Sequence, residues 1–461
     1  MAPSVKYLNE ILQRQKISKN DMIRNIHMDR STFFRILAGK REAKPDQFCR
    51  MLSQVDEGQE VVQRLILEYL SGVSEKDADI YEQVDRWMER LHEAEDHPVE
   101  VLREQGKILK DQVELKSGHG TVTNQLLSEF RKLGAHDQKL YLYVPVQFLA
   151  FDSLQPDIAG TLHYLMKSDR IQIVIDVELD KQGNLENRLA MLFCYLYGIY
   201  HISKFTDMVH CIYNTHISGN VPFPYFAVDG NRLMLIDRTG TTIIEDNNPE
   251  LINGYRHFFA GLQEHTVSYV RKYDSINEVM LSYYQRYQQC VEQGIRTRLI
   301  EQRPCVLKLA THEMITRYMP IEMREFMRKY VSIFQQLNVE CLHSAKGLED
   351  FRRDHEINEN GIRIQINQAD LDAAITLAAQ SAAEDMTFLT DWQDHLSLHW
   401  DFILFDDGEI VAVPNWNCPQ VISIRDEYTI SAFSTWFIYS QEMSGIRKRI
   451  DQYRKEYGNE S

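Results

Sequence analysis

One stretch of 24 residues, Ser18 to Arg41, constrains the fold more than any other part of the chain. Its pattern predicts two short helices joined by a tight turn, because Ser18 and Asp29 are suited to cap helix N-termini and Gly39 follows the second helix. Apolar residues recur at the spacing that lets one helix hold another at a fixed angle. They are Met22, Ile26, Met28, Phe33 and Ile36.

The outward side chains of the second helix are short or flexible hydrogen-bonding groups, suited to reach base edges in a DNA major groove. They are Arg30, Ser31, Thr32 and Arg35. Residues 1–55 carry eleven lysines and arginines against five acidic residues, a net charge of +6, whereas the rest of the chain carries −22. Basic charge gathered in one segment indicates a polyanionic partner for that segment.

The segment from Ser18 to Gly39 resembles the phage-repressor-like helix-turn-helix family, of the XRE or Cro/C1 type, without a gap. The resemblance covers about residues 5–70 and implies an all-α DNA-binding domain. It implies that Arg30, Ser31, Thr32 and Arg35 read bases, and that phosphates are contacted by Lys19, Lys40, Arg41 and Lys44. Three residues depart from the family pattern and leave a protein-binding domain as the alternative: Ile23, His27 and Phe34.

From about residue 139, strand-like and helical runs alternate, which favours an α/β layered body. The strand-like runs are 140–146, 171–177, 226–228 and 233–236, then 305–309, 362–366, 402–405 and 410–413. Two Asp-Gly hairpins, at 229–230 and 407–408, are each followed by a short strand and an aromatic-rich helix. This match indicates a tandem duplication, with chance recurrence of a common arrangement as the alternative.

We therefore predict a multidomain chain. It comprises an all-α helix-turn-helix domain at 1–72, a helical linker or dimerisation element at 73–138, and α/β units at 139–300 and 301–461. The repeated α/β arrangement is similar to bilobal phospholipase D-like domains. The enzymes of that superfamily carry His-x-Lys in each unit, whereas this chain has His201-Ile-Ser-Lys204 and His343-Ser-Ala-Lys346, each one residue too long. The resemblance therefore implies a non-catalytic relative.

Several classes of protein are disfavoured by the sequence. It contains no phosphate-binding Gly-x-x-x-x-Gly-Lys loop, no Gly-x-Ser-x-Gly elbow and no His-Glu-x-x-His pair, and we expect neither a cofactor nor a metal. The seven cysteines are scattered and odd in number, which is typical of reduced thiols. No apolar run approaches the ~20 residues of a membrane span, and no secretory signal is recognisable, so we expect a cytoplasmic protein without a membrane partner.

Together these patterns predict a sequence-specific transcriptional regulator that binds double-stranded DNA as a homodimer. Its α/β body would sense an unidentified small-molecule or protein effector, or would oligomerise; the sequence does not indicate which residues bind a ligand. Two alternatives stay open: an enzyme of hydrolase or nuclease type with a helix-turn-helix tether, and a protein-interaction scaffold.

Overall fold

The computed structural model describes residues 3–55, 58–72, 75–94, 101, 139–145, 171–177, 184–203, 209–213, 222–237, 242–265, 267–268, 270–359, 362–381, 386–389, 395–397, 399–415 and 420–458. The first five helices are α1 (Pro3–Arg14), α2 (Lys19–Asn25), α3 (Arg30–Leu37), α4 (Pro45–Ser53) and α5 (Gln59–Ser71). Pro45 begins α4, as the sequence predicts. The N–H groups of the first helical turn have no acceptor within the helix, so the N–H that proline lacks is not needed there. Leu8, Ile11, Ile26, Phe33 and Phe48 are buried together at the centre of these helices.

Helix α6 (Glu75–Glu93) lies in the segment expected to be a linker, and it packs tightly against the body. The indole N–H of Trp87 donates a hydrogen bond to the carbonyl of Leu189 at 2.8 Å, and its ring meets Phe402 and Phe433 edge-on. The rest of the expected 73–138 linker lies outside the described residues, apart from Ala94 and Val101. The described part of this segment therefore packs against the body through one face, which includes Trp87.

The first sheet has seven strands in the order β6-β5-β4-β1-β2-β3-β7. Its elements are β1 (Leu140–Pro145), β2 (Ile171–Val177), α7 (Leu185–Ser203), β3 (Val209–Tyr213), β4 (Tyr225–Val228), β5 (Leu233–Ile236), β6 (Ile243–Asp246), α8 (Pro249–His265) and β7 (Val267–Ser268). Strands β1, β2 and β3 are parallel to one another, while β4, β5 and β6 continue the sheet as an antiparallel meander.

The second sheet also has seven strands, in the order β13-β10-β9-β14-β15-β16-β8. Its strands are β8 (Val270–Lys272), β9 (Thr297–Glu301), β10 (Val339–His343), β13 (Met386–Phe388), β14 (Trp400–Phe405), β15 (Glu409–Pro414) and β16 (Gln420–Ile424). The helices around it are α9 (Ile276–Gln293), α10 (Val306–Leu309), α11 (His312–Tyr318), a 3-10 turn (Ile321–Met323), α12 (Arg324–Gln335), α13 (Ala345–Asp354), α14 (Gln368–Ser381) and α15 (Glu427–Gly458). A separate hairpin is formed by β11 (Glu356–Glu359) and β12 (Ile362–Gln365).

The two sheets have the same strand order and directions over six strands each. In both, three parallel strands are followed by an antiparallel meander that turns on an Asp-Gly pair. The segment expected to be a strand at 305–309 is instead helix α10, and the first parallel strand of the second sheet is β9, at 297–301. The expected boundary at residue 300 therefore falls inside a strand, and the second sheet draws on the chain from β8 onward.

Helix α15 connects the second sheet to the five N-terminal helices α1 to α5, which we call the helix-turn-helix segment. It has 32 residues, about 48 Å of continuous helix. Its first half buries Phe433, Trp436 and Phe437 within the body, and its second half buries Met443 and Ile450 beside α4. Within the described parts of the chain, every helix is too short or too polar to cross a lipid bilayer.

Candidate nucleic-acid interface

Side-chain caps define where α2 and α3 begin. The Ser18 hydroxyl accepts a hydrogen bond from the backbone N–H of Asp21 at 3.3 Å. The Asp29 carboxylate accepts one from the Ser31 hydroxyl at 2.7 Å and one from the backbone N–H of Thr32 at 2.8 Å. These hydrogen bonds lower the pKa of the Asp29 carboxyl below its ordinary value, so a negative charge stays at the positive end of the α3 dipole. Both predicted caps are confirmed.

The turn between the two helices is tight because one residue adopts left-handed backbone geometry. His27 has φ of 49°, the region that glycine favours, at the position where the sequence already differs from the family pattern. On either side of it, Ile26 is fully buried and Met28 packs against the same core. Phe33, also fully buried, anchors α3 from the other side. These contacts fix the angle between α2 and α3.

The outward face of α3 carries polar and aromatic groups in one row. Its exposed residues are Arg30, Ser31, Phe34 and Arg35, and Thr32 is half-buried between them. The Phe34 ring is 38% exposed, and the Arg30 guanidinium lies 5.9 Å from its centre. This face can donate hydrogen bonds to base edges through two guanidinium groups and can contact a thymine methyl group through the ring.

The loop after α3 brings one predicted phosphate contact to the same face. The Arg41 guanidinium donates a hydrogen bond to the Thr32 hydroxyl at 3.2 Å, so this cation lies beside α3. Gly39, with φ of 67°, turns the chain into the loop. Lys40 and Lys44 are exposed in this loop, with Lys44 at the start of α4.

Lys19, another predicted phosphate contact, already makes a hydrogen bond within the domain. Its ammonium group donates to the side-chain carbonyl of Asn9 at 3.2 Å. The Asn9 amide in turn donates to the backbone carbonyl of Leu37 at 2.9 Å, which ties α1 to the end of α3. Asn9 thus supports the α3 position, and no sequence pattern distinguishes it from any other surface asparagine.

Polar contacts at the end of α15 hold the helix-turn-helix segment against the body. They join α4 and the residues after it to the second half of α15, where the Arg50 guanidinium also lies 5.3 Å from the centre of the Tyr453 ring. The contacts are Cys49 Sγ to the Ile446 carbonyl at 3.8 Å, the Tyr453 hydroxyl to Asp46, and the Arg454 guanidinium to the Val55 carbonyl at 3.0 Å. The exposed face of α3 is therefore carried at a defined orientation relative to the second sheet.

Comparison with models of known protein families and with curated protein sequences gives no match to this chain. Within the described ranges, histidine, cysteine and acidic side chains form no group of three or more that could hold a metal ion. The geometry of the α2–α3 segment and its charge are accordingly the observations that bear most directly on function.

Proposed function

We propose that this protein is a sequence-specific DNA-binding transcriptional regulator. The observation that carries the proposal is the exposed face of α3, where Arg30, Ser31 and Arg35 stand free of the core on a helix propped by α2. The net charge of +6 over residues 1–55 supports a polyanionic partner, because DNA affinity comes largely from phosphate neutralisation. One such helix covers a half-site, so we infer that two protomers bind a two-fold operator.

The body supports a sensing or oligomerising role in this proposal. The shared strand order of the two sheets favours a tandem duplication, since independent recurrence of six strands in one order and one set of directions is improbable. Because α15 packs on both the second sheet and α4, a change in the body is transmitted to the spacing of two DNA-binding helices. Effector-dependent operator affinity follows from this connection.

The test is binding of the full chain to DNA by fluorescence anisotropy, after selection of preferred sites from a random duplex library. We expect one sequence class to be enriched and its affinity to fall steeply with salt. Replacing Arg30 and Arg35 by alanine removes two base contacts, each of which contributes about 1–3 kcal/mol of discrimination. Replacing Lys40 and Lys44 by alanine is expected to weaken all sequences equally and to reduce the salt slope by about two.

The matched control is Arg64→Ala, which removes an exposed guanidinium from α5. It should leave both affinity and site preference unchanged. The stoichiometry of the saturated complex, read from the same titration at high DNA concentration, should be two protomers per selected site. Absence of any enriched sequence, or unaltered discrimination in the Arg30→Ala/Arg35→Ala variant, would show that α3 does not read DNA.

A further inference from the structure

The second α/β unit contains an apolar cavity away from the DNA-binding segment. It lies between α9, α10, α11, α12 and the β11–β12 hairpin and has a volume of about 320 Å³. Five of its lining residues are methionines: Met280, Met314, Met319, Met323 and Met327. This volume falls at the lower end of the range for small-molecule sites, about 300–1,000 Å³.

The lining is suited to an apolar occupant. Protein interiors are packed closely, so an apolar space of many water volumes is unusual unless something fills it. Methionine side chains are flexible and polarisable, and they adapt to ligands of different shapes. The nearby Tyr318 hydroxyl is already satisfied, since it donates to Asp370 at 2.6 Å and accepts from the backbone N–H of Asn367 at 2.9 Å. The Tyr318 hydroxyl therefore needs no hydrogen-bond partner from a ligand in the cavity.

One charged side chain stands among the described lining residues. Arg363, on β12, is 70% exposed, and its nearest acidic partner, Glu356, lies 3.8 Å away, too far for a hydrogen bond. A guanidinium in this setting keeps most of its donors available for an anion, and carboxylates match its forked geometry. No acidic residue lines the described part of the cavity.

We propose that this cavity binds a small amphiphilic carboxylate. Its apolar chain or ring lies among the methionines, and its carboxylate pairs with Arg363 at the mouth. The binding itself is independent of the proposed DNA-binding function, whereas its meaning as an effector site rests on that function. The β11–β12 hairpin and α12, which form the walls, belong to the same unit as the sheet that contacts α15.

The test is isothermal titration calorimetry of the full chain with decanoate and with decan-1-ol, which share a chain and differ in the charged head. Ala310→Phe places a ring in the cavity and is expected to abolish binding of both compounds. Arg363→Gln is expected to weaken decanoate about fivefold, the upper end for an exposed ion pair, and to leave decan-1-ol unchanged. Arg352→Gln, an exposed residue outside the cavity lining, is the matched control and should behave as wild type.

Saturable 1:1 binding of decanoate that is lost in Ala310→Phe and weakened in Arg363→Gln supports the proposal. Three results would overturn it: no saturable binding of decanoate to wild type, unchanged binding in Ala310→Phe, or equal effects of Arg363→Gln on acid and alcohol. Circular dichroism of each variant identifies any that fails to fold. Arg363→Gln changes an exposed side chain and is not expected to disturb folding, so it keeps the test valid if Ala310→Phe does not fold. Because the titration contains no DNA, its failure is distinct from failure of DNA binding.

Discussion

Replacing Ile450 by alanine tests whether α15 holds the helix-turn-helix segment in place. Ile450 is fully buried, and it lies between Ile446 and Tyr453, both of which contact α4. The substitution leaves a cavity at this contact while leaving the polar contacts on either side of it available. We therefore expect α4 to open from α15 more often, with α3 itself still folded.

The expected magnitude follows from the size of the deleted group. Burial of an isoleucine side chain in a packed site makes its replacement by alanine cost about 2–5 kcal/mol. At one factor of ten for each ~1.4 kcal/mol, opening of the contact becomes at least about 30-fold more frequent. Hydrogen–deuterium exchange measured by mass spectrometry reads this directly, as faster exchange in peptides from α4 and the second half of α15.

Ile366→Ala is the matched control, because Ile366 is buried to a similar degree in the separate apolar cluster beneath α9, α12 and α14. It should accelerate exchange near β12 and leave α4 unaffected. If Ile450→Ala leaves α4 exchange at the wild-type rate, or if both variants accelerate it equally, the reasoning that α15 holds this segment is refuted.

Two further predictions concern the second unit, one at Gly347 with Gly445 as its control and one at Asp401. Gly347→Ala should lower stability by about 3 kcal/mol in urea denaturation, because a methyl group would overlap the backbone carbonyl of Gln302, whereas Gly445→Ala, with open space around it in α15, should be neutral or stabilising. Desolvation raises the pKa of the Asp401 carboxyl from 3.8 to about 7. Between these pH values the folded state holds a proton that the unfolded state releases. The contribution of Asp401 to the free energy of unfolding therefore falls as pH rises from about 4 to about 7. Asp401→Asn should remove that part of the pH dependence in denaturation curves, and an unchanged pH profile would contradict the assignment.

The local features of the helix-turn-helix segment could be predicted from sequence because they depend on neighbours along the chain. Caps at Ser18 and Asp29, the α4 start at Pro45 and the buried positions of α3 all follow from spacing and residue type. The hydrogen bond from the Lys19 ammonium group to Asn9 could not be predicted, since it joins helices whose mutual placement only the tertiary structure defines.

Polar residues explain why β9, the first parallel strand of the second sheet, could not be predicted from the sequence. Strand β9 contains Thr297 and Arg298, whose polar character conceals a strand that is buried in the sheet. Arg298 is accommodated there because its guanidinium donates to Asp406 at 2.5 Å and lies near Glu340. The apolar run at 305–309 gave the stronger local signal, but it forms the short helix α10 in the wall of the cavity. Ion pairs between residues far apart in the sequence thus accommodate a charged residue that the local pattern alone does not place in a buried strand.

The packing of α4 on α15 also has a consequence for folding during translation. The hydrogen bonds from α15 to α4 and to the residues just after α4 join positions 397 to 407 residues apart. At a synthesis rate of about 5–20 residues per second, roughly 20–80 s separate the appearance of α4 from that of its partner helix. During this interval the apolar surface of α4 that α15 covers is exposed on the nascent chain, and a ribosome that stops within the body leaves it uncovered. Helix α3 can therefore reach its final placement only after both sheets have been synthesised.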